Sequence, residues 1–184
     1  MAKRFERIEE AHRRFIERQK IFFTGSAAAH GRVNVSPKGL DTLRVLGPNR
    51  VAYLDLTGSG NEAAAHLRAS GRITLMFCAF EGPPMILRLY GQGRVLPRGG
   101  AAYGELLPHW GAEPKGARQI VLVEVDLVQT SCGHAVPRYE FQGERPNLTR
   151  WTEAKSEEQL AAYRREHNAR SIDGLPTAST SDSG

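Results

Sequence analysis

Residues 119–130, Gln-Ile-Val-Leu-Val-Glu-Val-Asp-Leu-Val-Gln-Thr, carry the clearest strand pattern in the sequence. Every second residue from position 121 to position 127 is aliphatic. Alternate side chains of a strand point to the same face, and β-branched residues are enriched in strands. The pattern therefore predicts a strand with four side chains on one face: Val121, Val123, Val125 and Leu127.

More strands are predicted on the N-terminal side, at residues 21–28, 32–38, 43–46, 50–56, 72–80 and 85–96. Two short turns join neighbouring strands into hairpins. His30-Gly31 connects the first two, because glycine supplies the positive φ that a tight turn needs. Gly47-Pro48-Asn49 connects the strands at 43–46 and 50–56.

Helices are predicted at residues 3–19, 60–69, 99–109 and 156–166. The second is rich in alanine and ends before Gly71, a residue suited to a helix C-cap. The first is amphipathic, and its stripe is expected to cover one end of the strands or a partner subunit. The stripe recurs at spacings of three and four: Phe5, Ile8, His12, Phe15 and Gln19.

The order of these elements indicates the fold class. Strands dominate, one short helix lies between central strands, and helices flank both ends. A doubly wound parallel sheet would need a helix between most strands. We therefore predict a mainly β protein of the α+β class, a closed or partly closed antiparallel barrel with flanking helices. Residues 1–176 are predicted to form a single domain, and the polar residues 177–184 a disordered tail.

Composition excludes several classes of protein. The chain has 184 residues, is 40% hydrophobic and carries a net charge of +5 from basic and acidic residues that are mixed along it. The mixing makes nucleic acid an unexpected partner. The apolar stretch 73–80 is too short to span a bilayer, and the charged N-terminus is unlike a secretory signal, so a cytoplasmic location is expected. Cys78 and Cys132 are expected to be reduced thiols, and no metal site is predicted.

Polar side chains follow one face of the strand at 32–38. Val33 and Val35 point to one side, and Arg32, Asn34, Ser36 and Lys38 favour the other. This polar face either contacts solvent or lines a ligand groove. An ammonium group at the end of the strand would suit a phosphate or an electron-rich ring.

A glycine-rich turn, Thr57-Gly58-Ser59-Gly60-Asn61, follows a strand and opens a helix. Such a turn exposes backbone N–H groups at the positive end of the helix dipole, which can bind phosphate without a basic side chain. The pattern is neither a Walker loop nor a dinucleotide fingerprint. Taken alone, the pattern is more typical of an ordinary connection between a strand and a helix.

The strand at 85–96 carries a charge among apolar residues. Arg88 shares a face with Ile86, Tyr90 and Gln92. A charged group there is costly unless it is paired or lies at a wet cleft. Its partner is predicted to be either a ligand or a carboxylate, for which the candidates are Asp55, Glu124 and Asp126.

Several segments together resemble the pyridoxamine 5′-phosphate oxidase-like proteins over about residues 5–176. They are Val33–Gly39, Gly60-Asn61-Glu62, Gly71–Phe77, Leu89–Gly93, Ser131-Cys132-Gly133 and Ser171–Pro176. The resemblance implies an FMN-binding split barrel that dimerises, with two flavins in clefts between the subunits. It places the strand from Arg32 to Lys38, the turn from Thr57 to Asn61 and the strand around Arg88 along the cleft.

One segment departs from the family pattern. The resemblance implies that the oxidases hold the flavin phosphate with an Arg-Lys pair at the start of the short helix, where this chain has Gly60-Asn61-Glu62. Pyridoxine phosphate is therefore not the expected substrate. Phosphate binding would fall to Lys38, Arg88, Ser59, Asn61 and backbone N–H groups.

The first functional hypothesis is an FMN-dependent oxidoreductase of unknown substrate. Relatives on this barrel also bind the deazaflavin F420 or haem, which gives the second. The third is a non-catalytic flavin-binding module, and the fourth, based on the net charge, is a nucleic-acid binder. The predicted cofactor-binding residues are Arg32, Asn34, Ser36, Lys38, Thr57, Ser59, Gly60, Asn61, Arg88 and Gln92. Catalytic residues are not assigned.

Overall fold

The computed structural model describes residues 2–178, and these contain one eight-stranded antiparallel sheet. The strands are β1 (Lys3–Phe5), β2 (Phe22–Ser26), β3 (Asn34–Lys38), β4 (Leu43–Gly47), β5 (Arg50–Leu56), β6 (Arg72–Cys78), β7 (Ile86–Pro97) and β8 (Ala117–Ser131). The helices are α1 (Glu10–Arg18), α2 (Glu62–Ser70), α3 (Ala101–Leu106), α4 (Asn147–Glu153) and α5 (Glu157–His167), with a 3₁₀ turn at Leu107–Trp110.

The sheet curls into a barrel that does not close. Its hydrogen-bonded order is β3-β2-β6-β7-β8-β5-β4, with β1 paired to β8 beside this path. β3 and β4 are thus the two ends of the sheet, and they are not paired with each other. The predicted antiparallel split barrel with flanking helices is confirmed, and all seven predicted strands are present.

The main core fills the inner side of the barrel. It is built from the inward-facing residues of β5 to β8 together with α1, and its largest fully buried side chains include Tyr53, Leu75, Phe77, Leu87 and Leu89. A second core lies on the other side of β5 and β8, under α3 and the 3₁₀ turn. Both faces of β8 are therefore covered at its N-terminal end.

A β-bulge corrects one prediction about β8. Val125 pairs with Gly91 and Leu127 pairs with Tyr90, so Asp126 is an extra residue on β8. An inserted residue shifts the alternation of side chains by one. Leu127 consequently leaves the face of Val121, Val123 and Val125, and the fully buried Val128 takes its place in the core.

The first helix is shorter than predicted. Residues 3–5 form β1 and pair with residues 128–130 of β8, and α1 begins only at Glu10. Pairing with the free edge of β8 stabilises residues 3–5 as a strand more than their helix propensity would stabilise them as a helix. Ile8 and Phe15 are buried in the core of the same chain, so the amphipathic stripe covers the barrel end and not a partner subunit.

Capping residues determine where two of the other helices begin or end. Gly71 ends α2 with a φ of 71°, as its position predicts, and the Ser156 hydroxyl accepts the Gln159 N–H at the start of α5. α4 was not predicted, because its sequence contains few strong helix formers. The ordered chain extends past the predicted boundary, since Thr177 is buried and bonded to Asn168. Residues 179–184 of the predicted tail lie outside the described residues.

Within residues 2–178, no helix is both long enough and apolar enough to cross a membrane. The two cysteines are free thiols, with Cys78 buried and Cys132 exposed.

Candidate functional site

A cavity of about 370 Å³ lies in the split of the barrel. β3, the turn at 39–42, the end of β5 and the start of α2 surround it. Six of the ten predicted cofactor-binding residues line this one cavity: Asn34, Ser36, Lys38, Ser59, Gly60 and Asn61. The structure thus brings the polar face of β3 and the glycine-rich turn together, although about 20 residues separate them in sequence.

A buried carboxylate between two cations forms the wall of the cavity. Lys38 Nζ donates to Asp55 Oδ1 at 2.6 Å, which links the end of β3 to β5 across the split. Arg118 donates to Asp55 Oδ2 at 2.9 Å from the other side. The Asp55 and Arg118 side chains are only 3% and 7% exposed. Burial alone would raise the pKa of Asp55, but the two cations and their hydrogen bonds outweigh it and hold that pKa well below its ordinary value.

The same wall contains amides that link it to the glycine-rich turn. The Gln119 amide donates to both Asp55 Oδ2 and Asn61 Oδ1 at 2.8 Å. Arg118 also donates to the Gly60 carbonyl and to Asn168 Oδ1. Sequence reasoning missed Arg118, Gln119 and Asn168. A charged and an amide residue at the apolar start of β8 were a detectable signal for the first two.

The cavity retains hydrogen-bond donors suited to an anion. Lys38 uses one of its ammonium protons on Asp55 and keeps the other two. Within residues 2–178, the Ser59 hydroxyl and the N–H groups of residues 59–63, at the N-terminus of α2, donate to no acceptor. Lys38 and Arg118 balance the Asp55 and Glu62 carboxylates, so the charged side chains that line the cavity sum to zero. The Glu62 carboxylate accepts the Ile172 N–H, which leaves the N–H groups at the N-terminus of α2 and the two remaining Lys38 protons as donors that suit a phosphate.

The turn at residues 39–42, which lines one side of the cavity, has an unusual backbone conformation. Leu40 and Asp41 adopt φ values of 58° and 51°, which residues with a side chain rarely adopt. The Arg44 guanidinium donates to the carboxylate and the carbonyl of Asp41, and Trp110 Nε1 donates to the Thr42 carbonyl at 2.7 Å. These bonds maintain the turn, and Leu40 lines the cavity as a result.

The remaining predicted residues do not line this cavity. Arg32 pairs with Asp173, and Thr57 is buried with its hydroxyl donating to the Gly116 carbonyl at 2.8 Å. Gln92 lies on the exposed side of β7.

Arg88 lies on the opposite face of the sheet from Lys38. Its guanidinium donates to the Ser131 hydroxyl at 3.3 Å. Among the described residues, none of the three candidate carboxylates pairs with it. Asp55 binds Lys38 and Arg118, Glu124 binds Arg50, and Asp126 forms no ion pair with Arg88. Pro37, Phe23, Met76 and Arg88 are successive partners across β3, β2, β6 and β7. Three strand spacings, about 14 Å, and the sheet itself therefore separate Arg88 from the cavity.

Comparison with known proteins gives consistent results. Residues 8–132 match the family model described as pyridoxamine 5′-phosphate oxidase. The chain is 37% identical over 189 residues to the pyridoxamine 5′-phosphate oxidase family protein ustO of Aspergillus flavus, covering 94% of this chain and 76% of that protein.

Two solved structures share the fold at low sequence identity. A HupZ variant from Group A Streptococcus matches with a TM-score of 0.56 and 17% identity, covering 67% of this chain and 99% of that one. A proposed pyridoxamine 5′-phosphate oxidase from Lactobacillus delbrueckii matches with a TM-score of 0.53 and 18% identity, covering 67% and 94%.

Proposed function

The chain belongs to the pyridoxamine 5′-phosphate oxidase family, and from this premise we propose that it binds FMN and acts as an oxidoreductase on a substrate other than pyridoxine phosphate. The observation that carries the proposal is the cavity in the split. There the Lys38 ammonium faces the glycine-rich turn and the N-terminus of α2. Lys38, Ser59, Asn61 and the free N–H groups would hold the phosphate of FMN.

The flavin would supply the electron-transfer chemistry, as cofactors of this kind do. The chain's own residues bind and orient it. Asp55 and Arg118 fix the position of Lys38, and Gln119 fixes the Asn61 amide. The turn Gly60-Asn61-Glu62 stands where the oxidases have the basic pair, and this departure from the family pattern is the reason the proposed substrate is not pyridoxine phosphate.

The lining of the cavity favours a flavin over the alternative haem. Among the described residues that line it there is no His, Cys, Met or Tyr, the usual axial ligands of haem iron. A deazaflavin carries a phosphate as well, so the cavity does not discriminate F420 from FMN. A non-catalytic flavin-binding module would use the same contacts.

Titration of the purified protein with FMN, riboflavin and FAD tests the proposal. We expect about one FMN per chain and a rise in melting temperature, because a ligand that binds only the folded state stabilises it. Riboflavin and FAD are expected to stabilise the protein less, since neither has a free terminal phosphate. Lys38→Ala should weaken FMN binding by about 1.5–3 kcal/mol, the range for hydrogen bonds to a charged group.

Lys155→Ala, which removes a lysine that lies over the Trp151 ring, is the matched control and should leave FMN affinity unchanged. Equal stabilisation by riboflavin and FMN would exclude a phosphate site in the cavity. Reduction of bound FMN by a reduced nicotinamide would distinguish an oxidoreductase from a flavin-binding module.

We further propose that the protein is a homodimer. The outer face of β3, β2, β6, β7 and β8 is only half-buried or exposed, and it presents Phe23, Val35, Met76, Ile86, Tyr90 and Leu127. Arg88 lies in this face and cannot contact a ligand in its own cavity. A second copy packed on this face by two-fold symmetry would cover the apolar side chains, and we propose that it closes the cavity around the free edge of β3, where Pro37 lines it.

Met76→Glu is expected to convert a dimer into a monomer, because it places a carboxylate at the centre of the outer face. FMN occupancy should fall with it, and dilution of the wild type should reduce dimer content and occupancy together. Arg14→Glu also places a carboxylate on the exposed side of α1, with a charge change of −2 against −1 for Met76→Glu, and should change neither. Sedimentation velocity with flavin absorbance measures both quantities. A monomer that retains full FMN would contradict the dimer proposal.

A further inference from the structure

Asn168 connects the C-terminal segment to the glycine-rich turn. It is the residue that ends α5, and it is 3% exposed. Its Oδ1 accepts from Arg118 at 2.7 Å, and its Nδ2 donates to the Gly58 carbonyl at 3.0 Å. Its own carbonyl accepts the Thr177 hydroxyl at 2.6 Å. The Asn168 side chain is therefore fixed from both sides and reaches a residue 110 positions earlier in the chain.

The chemistry of these bonds requires an amide at position 168. A guanidinium can only donate hydrogen bonds and a backbone carbonyl can only accept them. The residue between Arg118 and Gly58 must therefore accept on one side and donate on the other. Aspartate could satisfy Arg118 but would place a second acceptor against the Gly58 carbonyl.

These bonds also determine where the turn directs its N–H groups. Arg118 holds the Gly60 carbonyl at 2.9 Å, as Asn168 holds that of Gly58. The peptide bonds of the described chain are trans, and in a trans peptide the C=O and the following N–H point in opposite directions. Fixing these two carbonyls toward Arg118 and Asn168 directs the Ser59 and Asn61 N–H groups away from them. Both residues line the cavity.

We propose that Asn168 is a positioning residue that, together with Arg118, directs the N–H groups of the glycine-rich turn at a phosphate-bearing ligand. The inference rests on the proposed function and adds to it a role for the C-terminal segment. Arg118 lines the cavity, yet its guanidinium is occupied by Asp55, Gly60 and Asn168. Arg118 therefore organises the site and leaves direct contact with phosphate to Lys38 and the turn.

A second contact from the same segment acts on the other end of the turn. The Ile172 N–H donates to both carboxylate oxygens of Glu62, the first residue of α2, at 3.0 and 3.1 Å. Residues 168–172 thus hold the turn at Gly58 and at Glu62, on either side of the donors. This contact also gives the Glu62 carboxylate, which lines the cavity, a hydrogen-bond donor.

Asn168→Asp tests the inference in the 184-residue chain. The variant keeps the acceptor for Arg118 and loses the donor to Gly58, so the fold should be retained while the turn shifts. We expect the Kd for FMN to rise about tenfold, the effect of one lost hydrogen bond near a charged ligand, and the Kd for riboflavin to stay within about twofold. Asn168→Ala, which adds no charge, should act in the same direction.

Asn49→Asp is the matched control. Asn49 also donates through Nδ2 to backbone carbonyls, those of Glu6 and Val125, but it lies at the β4–β5 turn, away from the cavity. Its substitution should lower the melting temperature without changing the ratio of FMN to riboflavin affinity. The inference would be overturned if both Asn168 variants kept the wild-type ratio of FMN affinity to riboflavin affinity, whether neither affinity fell or both fell equally. Wild-type protein that fails to prefer FMN over riboflavin would instead overturn the proposed function.

Discussion

Asp55→Ala is expected to destabilise the protein by about 3–5 kcal/mol. Removing one partner of a buried ion pair leaves the other charge without compensation, which costs more than the pair contributed. Here two cations lose their carboxylate, and the Arg118 side chain is only 7% exposed. Chemical denaturation followed by circular dichroism measures the change in the free energy of unfolding.

The contribution of Asp55 to the free energy of unfolding should also depend on pH. Its pKa is lower in the folded protein than in the unfolded chain, where it is about 3.9. Its contribution is therefore present above that value and is lost as the pH falls below it toward the folded pKa. The gap in unfolding free energy between wild type and Asp55→Asn should be largest near neutral pH and should narrow on acidification to about pH 3.

An exposed ion pair supplies the control for this prediction. Glu10 pairs with Arg14 on the surface of α1, and both side chains are at least 60% exposed. Glu10→Gln should cost less than about 0.5 kcal/mol, because exposed pairs of this spacing contribute little. If Asp55→Ala cost no more than Glu10→Gln, the buried carboxylate would not be the element that holds the split together.

Gly91→Ala is expected to cost about 3 kcal/mol or more, or to prevent folding. A Cβ at this position would lie 2.9 Å from the Glu124 carbonyl carbon and 3.0 Å from the Val125 Cα, and nearer still to the Glu124 oxygen. These are backbone atoms of β8 at the bulge, so no side chain can move aside to make room. The substitution would separate β7 from β8 along the longest pairing in the sheet.

Gly104→Ala is the matched control for this substitution. Gly104 lies within α3, and apart from its chain neighbours and its own helix backbone, no atom of residues 2–178 stands within 4 Å of where its Cβ would be. Alanine is favoured over glycine inside a helix, so this variant should be as stable as wild type or more stable by up to about 1 kcal/mol. Thermal unfolding compares the two. A melting temperature for Gly91→Ala equal to that of wild type would show that the bulge can relax.

Much of the fold could be predicted because its signals are local. Alternation of apolar residues predicted the strands, Gly71 predicted the end of α2, and Ser156 predicted the start of α5. The same reasoning failed where a distant part of the chain intervened. Residues 3–5 became a strand because β8 offered them an edge, and Leu127 changed face because Asp126 bulges opposite β7.

The candidate site divides in the same way. The polar face of β3 and the glycine-rich turn were predictable from local sequence, since they follow from the period of a strand and from the φ freedom of glycine. The contacts of Asp55 with Lys38 and Arg118, the reach of Asn168 to Gly58 and the orientation of Arg88 away from the cavity depend on how distant segments pack together. The physical reason is that a local period specifies which face a side chain takes. Which distant group lies opposite it depends on strand order, register and the path of the C-terminal segment.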